Sequence, residues 1–566
     1  MSAAQQPRSA RPSRVWSQLL PELAEKIVGC LDSNEVPSFR LVNKAAAAQF
    51  RAPRHTTYRL SQPVPPHAFA AHWLAPGATR GLTLKNRRQL LCLTAASGVV
   101  ANLKVAVQAA GCLPTVEVFE AAATAGQLDS CVWLWEHGCP VEEPEFNEES
   151  DLLAAAAGGG HRHVCEWLLG LGLIWVQVGA HEAARGGHVD LTDWLLQQRP
   201  QLSVATDLSD GKEGSVSGAA HGCDLPTLQR LWRDSGDPDG WATEGILRAA
   251  TGSPTPDWAA KVEWLEAQGC PQQGPWWAAA CPDAVARLAW LRTRGFPLDP
   301  VCAKVAAGKG NAAAVQYLLE EAGVPTNSYE QYHVVDAAAR GGHLAALQAL
   351  HAAGWSFTAR DWWLGGHCAH TAASCGHLHV LAWLVEAFGV GALRMGPDLF
   401  AEAARSGSVE LMAWLQEHGC VWDASTFTGS AESGCVAAVE WLVAQGCPME
   451  EDGAPYVSVC RNGDLAMARL LRRLGVPWGP VRDTAPFVPG SVVIDAAQDA
   501  PVPMLRWLLE EGCPVGDYEA ARRAAADRAH HRGWEEADEL LQAHRHAQQG
   551  MARPAAAVAT AGGLAV

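Results

Sequence analysis

Tyrosine and phenylalanine are scarce in this chain of 566 residues, with 6 Tyr and 11 Phe against 24 Trp. So one-sided a choice of aromatic suggests a single environment built many times over. Basic charge is also scarce: the formal net charge is −17, although residues 1–60 hold nine Lys/Arg and four Asp/Glu, about +5. An acidic body repels phosphate backbones, and no aromatic-basic strip offsets it, so the sequence argues for no nucleic acid among the partners. Long apolar runs are missing too. Asn102 and Lys104 interrupt the best window, near residues 90–107, short of the ~18 residues that a membrane span needs. No secretory signal is seen, and 17 Cys, an odd number spread about one per repeat, read as reduced thiols in a cytoplasmic or nuclear chain. The opening MSAAQQPRSARPSRVW has no acid before Glu22, which reads as a disordered basic arm (residues 1–15); a transit peptide shares the composition, but sixteen residues is short for one.

Catalytic motifs are likewise lacking. There is no GxxxxGK[ST] phosphate loop, HExxH zinc helix or GxSxG nucleophile elbow; HEAAR at His181 fails at its fifth place and GSVSG at Gly214 has Val at its centre. The expectation is a protein that is no enzyme, with no cofactor and no metal.

What the chain has is self-similarity. Residues 336–357 read DAAARGGHLAALQALHAAGWSF and residues 401–422 read AEAARSGSVELMAWLQEHGCVW: paired Ala, Gly, a polar residue, an apolar run, Gly again. Aligned on Trp133, Trp167, Trp194, Trp264, Trp290, Trp383, Trp414, Trp441 and Trp507, with Ala106, Leu231, Tyr317, Ala349 and Arg469 in the gaps, the pattern recurs about every 31 residues. Each unit reads as two short antiparallel helices. The first carries the Ala pair, whose methyl side chains let the second helix approach, and Gly342, Gly376 or Gly407 stops it in the left-handed conformation. The second places Val409, Leu411, Met412, Trp414 and Leu415 on one apolar face. Helices this short are marginal alone. Burying three to five large apolar side chains per unit, at about 1.5–3 kcal/mol each, suffices when both neighbours are present. The fold class is therefore all-α: a solenoid of about fourteen helix hairpins.

The run AARxGHLxxLxxL followed by Gly resembles the ankyrin repeat over residues 92–548. His181 and His370 stand seven residues before His188 and His377, the offset of the His in the ankyrin Thr-Pro-Leu-His turn. The resemblance implies an extended surface for protein partners. Trp-rich ankyrin-like chains are also grouped under a sphingomyelin phosphodiesterase-related heading. The metal-dependent enzymes of that name carry a Ser-Asp-His run that this sequence lacks.

Cys112, Cys139, Cys270, Cys420, Cys447 and Cys513 follow the Gly after the second helix; a full repeat apart, they read as small apolar seals rather than redox or metal pairs. The segment GGHCAHTAASCGHLH holds His367, Cys368, His370, Cys375, His377 and His379, the right donors for zinc, but on ordinary repeat positions that do not converge. Trp355, Trp422 and Trp478 are expected to pack between units. The pairs Trp276-Trp277 and Trp362-Trp363 precede a first helix, and because consecutive side chains diverge, one Trp of each is expected to be exposed. These four are the candidate partner contacts of the array.

Before the array, WSQLLPELAEKIVGCLDSNEVPSFRLVNKAAAAQF (residues 16–50) starts a helix at Leu20-Pro21, places Leu23, Ile27 and Leu31 on one stripe, and turns at residues 32–34 into a second amphipathic run. Residues 16–55 resemble the F-box in their LPxEL…I…LD…RLVxK pattern. The resemblance implies that Leu20, Pro21, Leu23, Ile27, Leu31, Leu41 and Val42 meet the adaptor subunit of an SCF-type ubiquitin ligase. Read without it, the segment is a helical pair that caps the solenoid. Residues 56–91, with Pro63, Pro65, Pro66 and Pro76, form a connector with one strand at residues 81–84, and residues 549–566 a disordered tail. The leading function is an interaction scaffold that serves as substrate receptor of such a ligase; the alternatives are an ankyrin adaptor without a ligase role and the lipid-hydrolase grouping.

Overall fold

The computed structural model describes residues 20–42, 44–141, 152–172, 176–202, 210–236, 241–357, 365–481, 491–527 and 534–559. They form α-helices with short 3-10 and π turns and contain no strand. Four helices lead in: α1 (Pro21–Cys30), α2 (Val36–Arg40), α3 (Lys44–Gln49) and α4 (Pro66–Trp73). From α5 (Leu84–Ala96) and α6 (Val100–Ala110) onward, hairpin follows hairpin to Tyr518–Ala526 and Trp534–Ala559. First helices stack mainly on the first helices of their neighbours, in one layer, with the second helices in a layer beside it.

One unit shows why these residues fold so. Pro397–Arg405 begins with Pro in its first turn and buries Leu399, Phe400, Ala401, Ala403 and Ala404. Gly407, at φ +69°, turns the chain, and Ser408 caps the second helix, Val409–Glu417, by accepting from the Leu411 amide at 3.2 Å. Leu411, Met412 and Leu415 are fully buried, while Val409 and Trp414 pack from the side.

One polar contact joins unit to unit, and a second closes each unit on itself. A turn His reaches back to a carbonyl of the preceding hairpin: His188 Nε2 to Gly158 O (3.1 Å), His343 to Gly308 O (3.0 Å), His377 to Arg340 O (3.0 Å). The Cys after the closing Gly donates its thiol to a carbonyl 24 residues back: Cys139 to Thr115, Cys420 to Gly396, Cys447 to Asp423. All 17 Cys are free, and burial pushes the thiols of Cys131, Cys139, Cys302, Cys368 and Cys513 up to about 12. Trp rings bridge units as well: Trp422 lies 5.2 Å from Phe400 and 6.4 Å from Trp441, and Trp478 lies 4.2 Å from Tyr456 and 5.9 Å from Trp507, between ring centroids.

Three expectations need correction. The strand at residues 81–84 does not form: Thr83 accepts from Asn86 N at 3.2 Å and caps α5, so Leu84 is already helical. The first hairpin of the array therefore starts at Leu84, before residue 92. Trp276 and Trp277 do not precede a full first helix, because residues 278–280 make only a 3-10 turn before Ala284–Thr293.

The array meets itself. Arg87, on α5, is buried and donates to Asp464 through both terminal nitrogens, to Ala110 O (2.7 Å) and to Gly434 O (2.9 Å). Asp464 Oδ1 also accepts from Met467 N at 3.1 Å, capping the helix Leu465–Arg473. Around this pair, Leu113 N donates to Gly463 O (3.0 Å), Ala466 N to Gly111 O (2.8 Å), Ala437 N to Arg80 O (2.9 Å), and Arg88 to Asn462 O (2.8 Å). The hairpin at residues 84–110 thus lies against the turns at Gly434 and Gly463, with its cap residue Thr83 against Gly407, and the stack between them makes a closed circuit.

Candidate interaction surfaces

The head is a small helical body with its own core of Ala24, Phe39, Ala46 and Phe50, against which Ile27, Val28 and Leu31 pack. The rest of the expected contact set faces outward: Pro21 is exposed, as are Leu20 (61%), Leu23 (46%), Leu41 (84%) and Val42 (45%). So the structure brings Leu20, Leu23, Leu41 and Val42 to the surface of one small body and turns Ile27 and Leu31 inward. The reason is local. Leu20 precedes the first turn of α1, and Leu41 and Val42 follow the last turn of α2, where no neighbouring helix among the described residues covers them.

The head does not swing freely. Asn34, 1% exposed, donates through Nδ2 to Arg59 O (2.7 Å), Gln62 O (3.1 Å) and Pro63 O (3.1 Å), and its Oδ1 accepts from Arg59 N (2.8 Å). Buried Asn102 of α6 in turn donates to Val64 O at 2.8 Å. Two amides therefore pin head to connector and connector to array. In the sequence Asn34 reads only as a turn residue and Asn102 only as a break in an apolar window, since neither shows a partner locally.

Charges along the first-helix layer are matched within and between units. Asp336 accepts from His367 Nε2 (2.9 Å), Thr371 Oγ1 (3.0 Å) and Arg340 (3.1 Å), and these bonds outweigh burial and hold its carboxyl below the usual range. Arg405 pairs with Glu402 (2.6 Å) and Glu432 (3.3 Å), and Arg461 with Asp499 (3.0 Å). Burial, with Asp499 alongside, raises Asp495 to about 6.

The zinc-like donors are dispersed. Cys368 is fully buried, His377 and His379 turn to Arg340 O and Gly342 O, and His367 turns to Asp336. Among the described residues no group of three or more His, Cys, Asp or Glu is placed to hold a metal ion.

The interrupted hairpin collects aromatic and cationic groups. Trp276 and Trp277 are both half-buried, so neither stands exposed as expected, because each is covered: Arg248 lies 5.0 Å over Trp276, and Arg185 5.9 Å over Trp277. His221 meets the edge of Trp277 at 5.7 Å, and burial and Arg185 lower its pKa. Nearby, a cavity of about 590 Å³ is lined by Glu120, Val178, Glu182, Arg185 and His221. Behind it, Lys261 is fully buried, donates to Cys223 O (2.8 Å) and Ser253 Oγ (2.7 Å), and is pushed down to about 8 by burial against the pull of Asp257. Trp362 and Trp363 lie outside the described residues.

With this geometry in place, one stretch can be matched to a family. Residues 335–385 match the model of ankyrin repeats (many copies). The ankyrin likeness is thus shown for that stretch, and no family model supports the F-box-like segment. No curated protein matches the chain.

Among solved structures, the chain is similar to the pentatricopeptide repeat protein PPR10 from maize, at 13% identity and a TM-score of 0.24, covering 94% of this chain and 98% of that one. A second structure, PPR10 in complex with an 18-nt psaJ RNA element, gives 12% identity and a TM-score of 0.23 over 92% and 90%. Likeness at this level does not extend to function. It does correct one expectation. The expectation of no nucleic acid among the partners, drawn from net charge, does not stand: the second of these structures holds an 18-nt RNA element, a property of that protein and not of this chain. No helix among the described residues is long and apolar enough to cross a membrane.

Proposed function

We propose that the chain is a non-catalytic scaffold for protein partners, and that its head connects the array to the adaptor subunit of an SCF-type ubiquitin ligase. One observation carries this reading: Leu20, Leu23, Leu41 and Val42 are exposed on a body that Asn34 and Asn102 together hold to the array. Uncovered leucines on a pinned helical pair suit a docking face, because burying each against a partner contributes about 1.5–3 kcal/mol. The rigid link suits a receptor that must hold two partners at a set distance. A cytoplasmic or nuclear location belongs to the same proposal.

The test is capture of the purified SCF adaptor by the full-length protein. Leu20→Asp and Leu41→Asp are expected to weaken capture at least tenfold while leaving the far-UV circular dichroism unchanged. Failure of the wild-type protein to bind the adaptor removes the ligase link and leaves an ankyrin-like adaptor, the second reading, which the match at residues 335–385 favours.

A further inference from the structure

We infer that the contact between the hairpin at residues 84–110, with its cap residue Thr83, and the turns at Gly407, Gly434 and Gly463 is a latch that opens within the folded protein, with the interrupted hairpin near residues 275–293 as the place where the circuit flexes. The consequence for partner entry rests on the scaffold reading; the latch itself does not.

Three observations support it. First, the seam is polar where the stack is apolar. It is closed by Arg87 on Asp464 and Gly434 O, by Arg88 on Asn462 O, by Arg80 on Glu440, and by three backbone bonds from Leu113, Ala437 and Ala466. The two large apolar cores do not merge there. One runs from Val64 to Leu195 and the other from Ala184 to Leu541, so they abut along the stack near residues 184–195; at the seam, Leu113 reaches across. Contacts of this composition are typical of bodies that move relative to one another.

Second, the ion pair at its centre sets register more than it adds attraction. Arg87 and Asp464 are 2% and 1% exposed, so closing strips water from both charges, and their mutual attraction does little beyond offsetting that loss. When the seam parts, both rehydrate. Fit is also tight: a Cβ on Gly434, which sits at φ +72°, would stand 2.7 Å from Arg87 Nη2 and 2.7 Å from Leu84 Cβ.

Third, the circuit has a weak point about midway between its joined ends. Residues 278–280 form a 3-10 turn where neighbouring units have full first helices such as Pro300–Gly308. Hydrogen bonds from Lys261 and Arg287 to Ser253, Cys223 O and Thr251 O hold the hairpins there, in place of a continuous helical layer. A partner seated inside the circuit would enter when the latch parts and be held when it closes.

Asp464→Asn tests this on the full-length protein. Asn retains an oxygen for the Met467 amide but leaves Arg87 without its countercharge. The amides of Leu113 and Ala466, which donate across the seam, are expected to exchange with deuterium on the order of 100-fold faster. The maximum dimension in small-angle scattering should grow, with the circular dichroism of the folded stack unchanged.

Leu113→Cys with Gly463→Cys supplies the control. A Cβ on Gly463 would stand 3.4 Å from Leu113 Cβ, close to the separation in a disulfide, so oxidation should hold Asp464→Asn at the wild-type dimension. Two results overturn the latch: a natively folded Asp464→Asn with unchanged exchange and scattering, or an Asp464→Asn that unfolds throughout, which would make the seam part of the core. No partner enters these measurements, so their failure leaves the scaffold reading where it stood.

Discussion

Two kinds of buried ionisable side chain pull stability in opposite directions with pH. The thiols of Cys131, Cys302, Cys368 and Cys513 stay protonated in the fold up to about 12, against an ordinary value of 9.0. Between those values the unfolded chain loses protons that the fold keeps, so stability present below pH 9 falls as pH rises toward 12. Lys261 has the reverse sign: its pKa drops from 10.5 to about 8, the unfolded chain holds the extra proton between them, and stability rises across that window. Under reducing conditions the urea midpoint should therefore fall between pH 9 and 11, and Lys261→Met, which lacks the compensating gain, should fall further over the same range. A midpoint that climbs in the wild-type protein would mean that the thiols are hydrated. Asp495 is a milder case. Raised to about 6 by burial and Asp499, it makes the fold less stable as pH rises from 3.8 to 6. Asp495→Asn should thus gain stability at pH 7.5, by no more than about 1 kcal/mol given the solvent around it, and a loss would show that Arg461 had been holding the charge.

At the scale of the element, the link between head and connector depends chiefly on one amide. Asn34→Ala leaves Arg59 N and three carbonyls without their buried partner, a loss of about 1–3 kcal/mol. The expected outcome is proteolytic cleavage between residues 50 and 64, with the melting of the array unchanged; resistance equal to wild type would mean that Asn102 and the hydrogen bond between Ser38 and Tyr58 (3.2 Å) suffice. This element also shows what the sequence could reveal. Helix positions, the left-handed glycines and the buried Ala, Leu and Cys of each unit follow from a local rule that repeats, and were legible for that reason. The turn His was visible as a recurring letter, yet its bond to the preceding hairpin was not, because periodicity says where a residue recurs and not which atom it meets. Trp276 and Trp277 were misplaced for a related reason: their unit keeps its second helix while the first shrinks to residues 278–280, and the Trp rings settle under Arg248 and Arg185.

At the scale of the molecule, curvature could not be read at all, since Arg87 and Asp464 are 377 positions apart and belong to units that look like any others. An open stack of repeats unfolds from its ends, each unit held only by its neighbours. Here the hairpin at residues 84–110 has a second set of contacts, with Gly434, Asn462 and Asp464, so fraying of the array from that side must also break the seam. The two apolar cores nevertheless abut near residues 184–195 without merging, which gives the chain a place to divide. Unfolding in urea should accordingly depart from a single step, with Trp fluorescence and far-UV circular dichroism following different midpoints. Asp464→Asn should widen that gap by lowering the transition of the core that ends at Leu195 while leaving the transition of the other in place. Coincident curves in both proteins would mean that the circuit folds as one cooperative body, with Arg87 and Asp464 no more than two of its interior side chains.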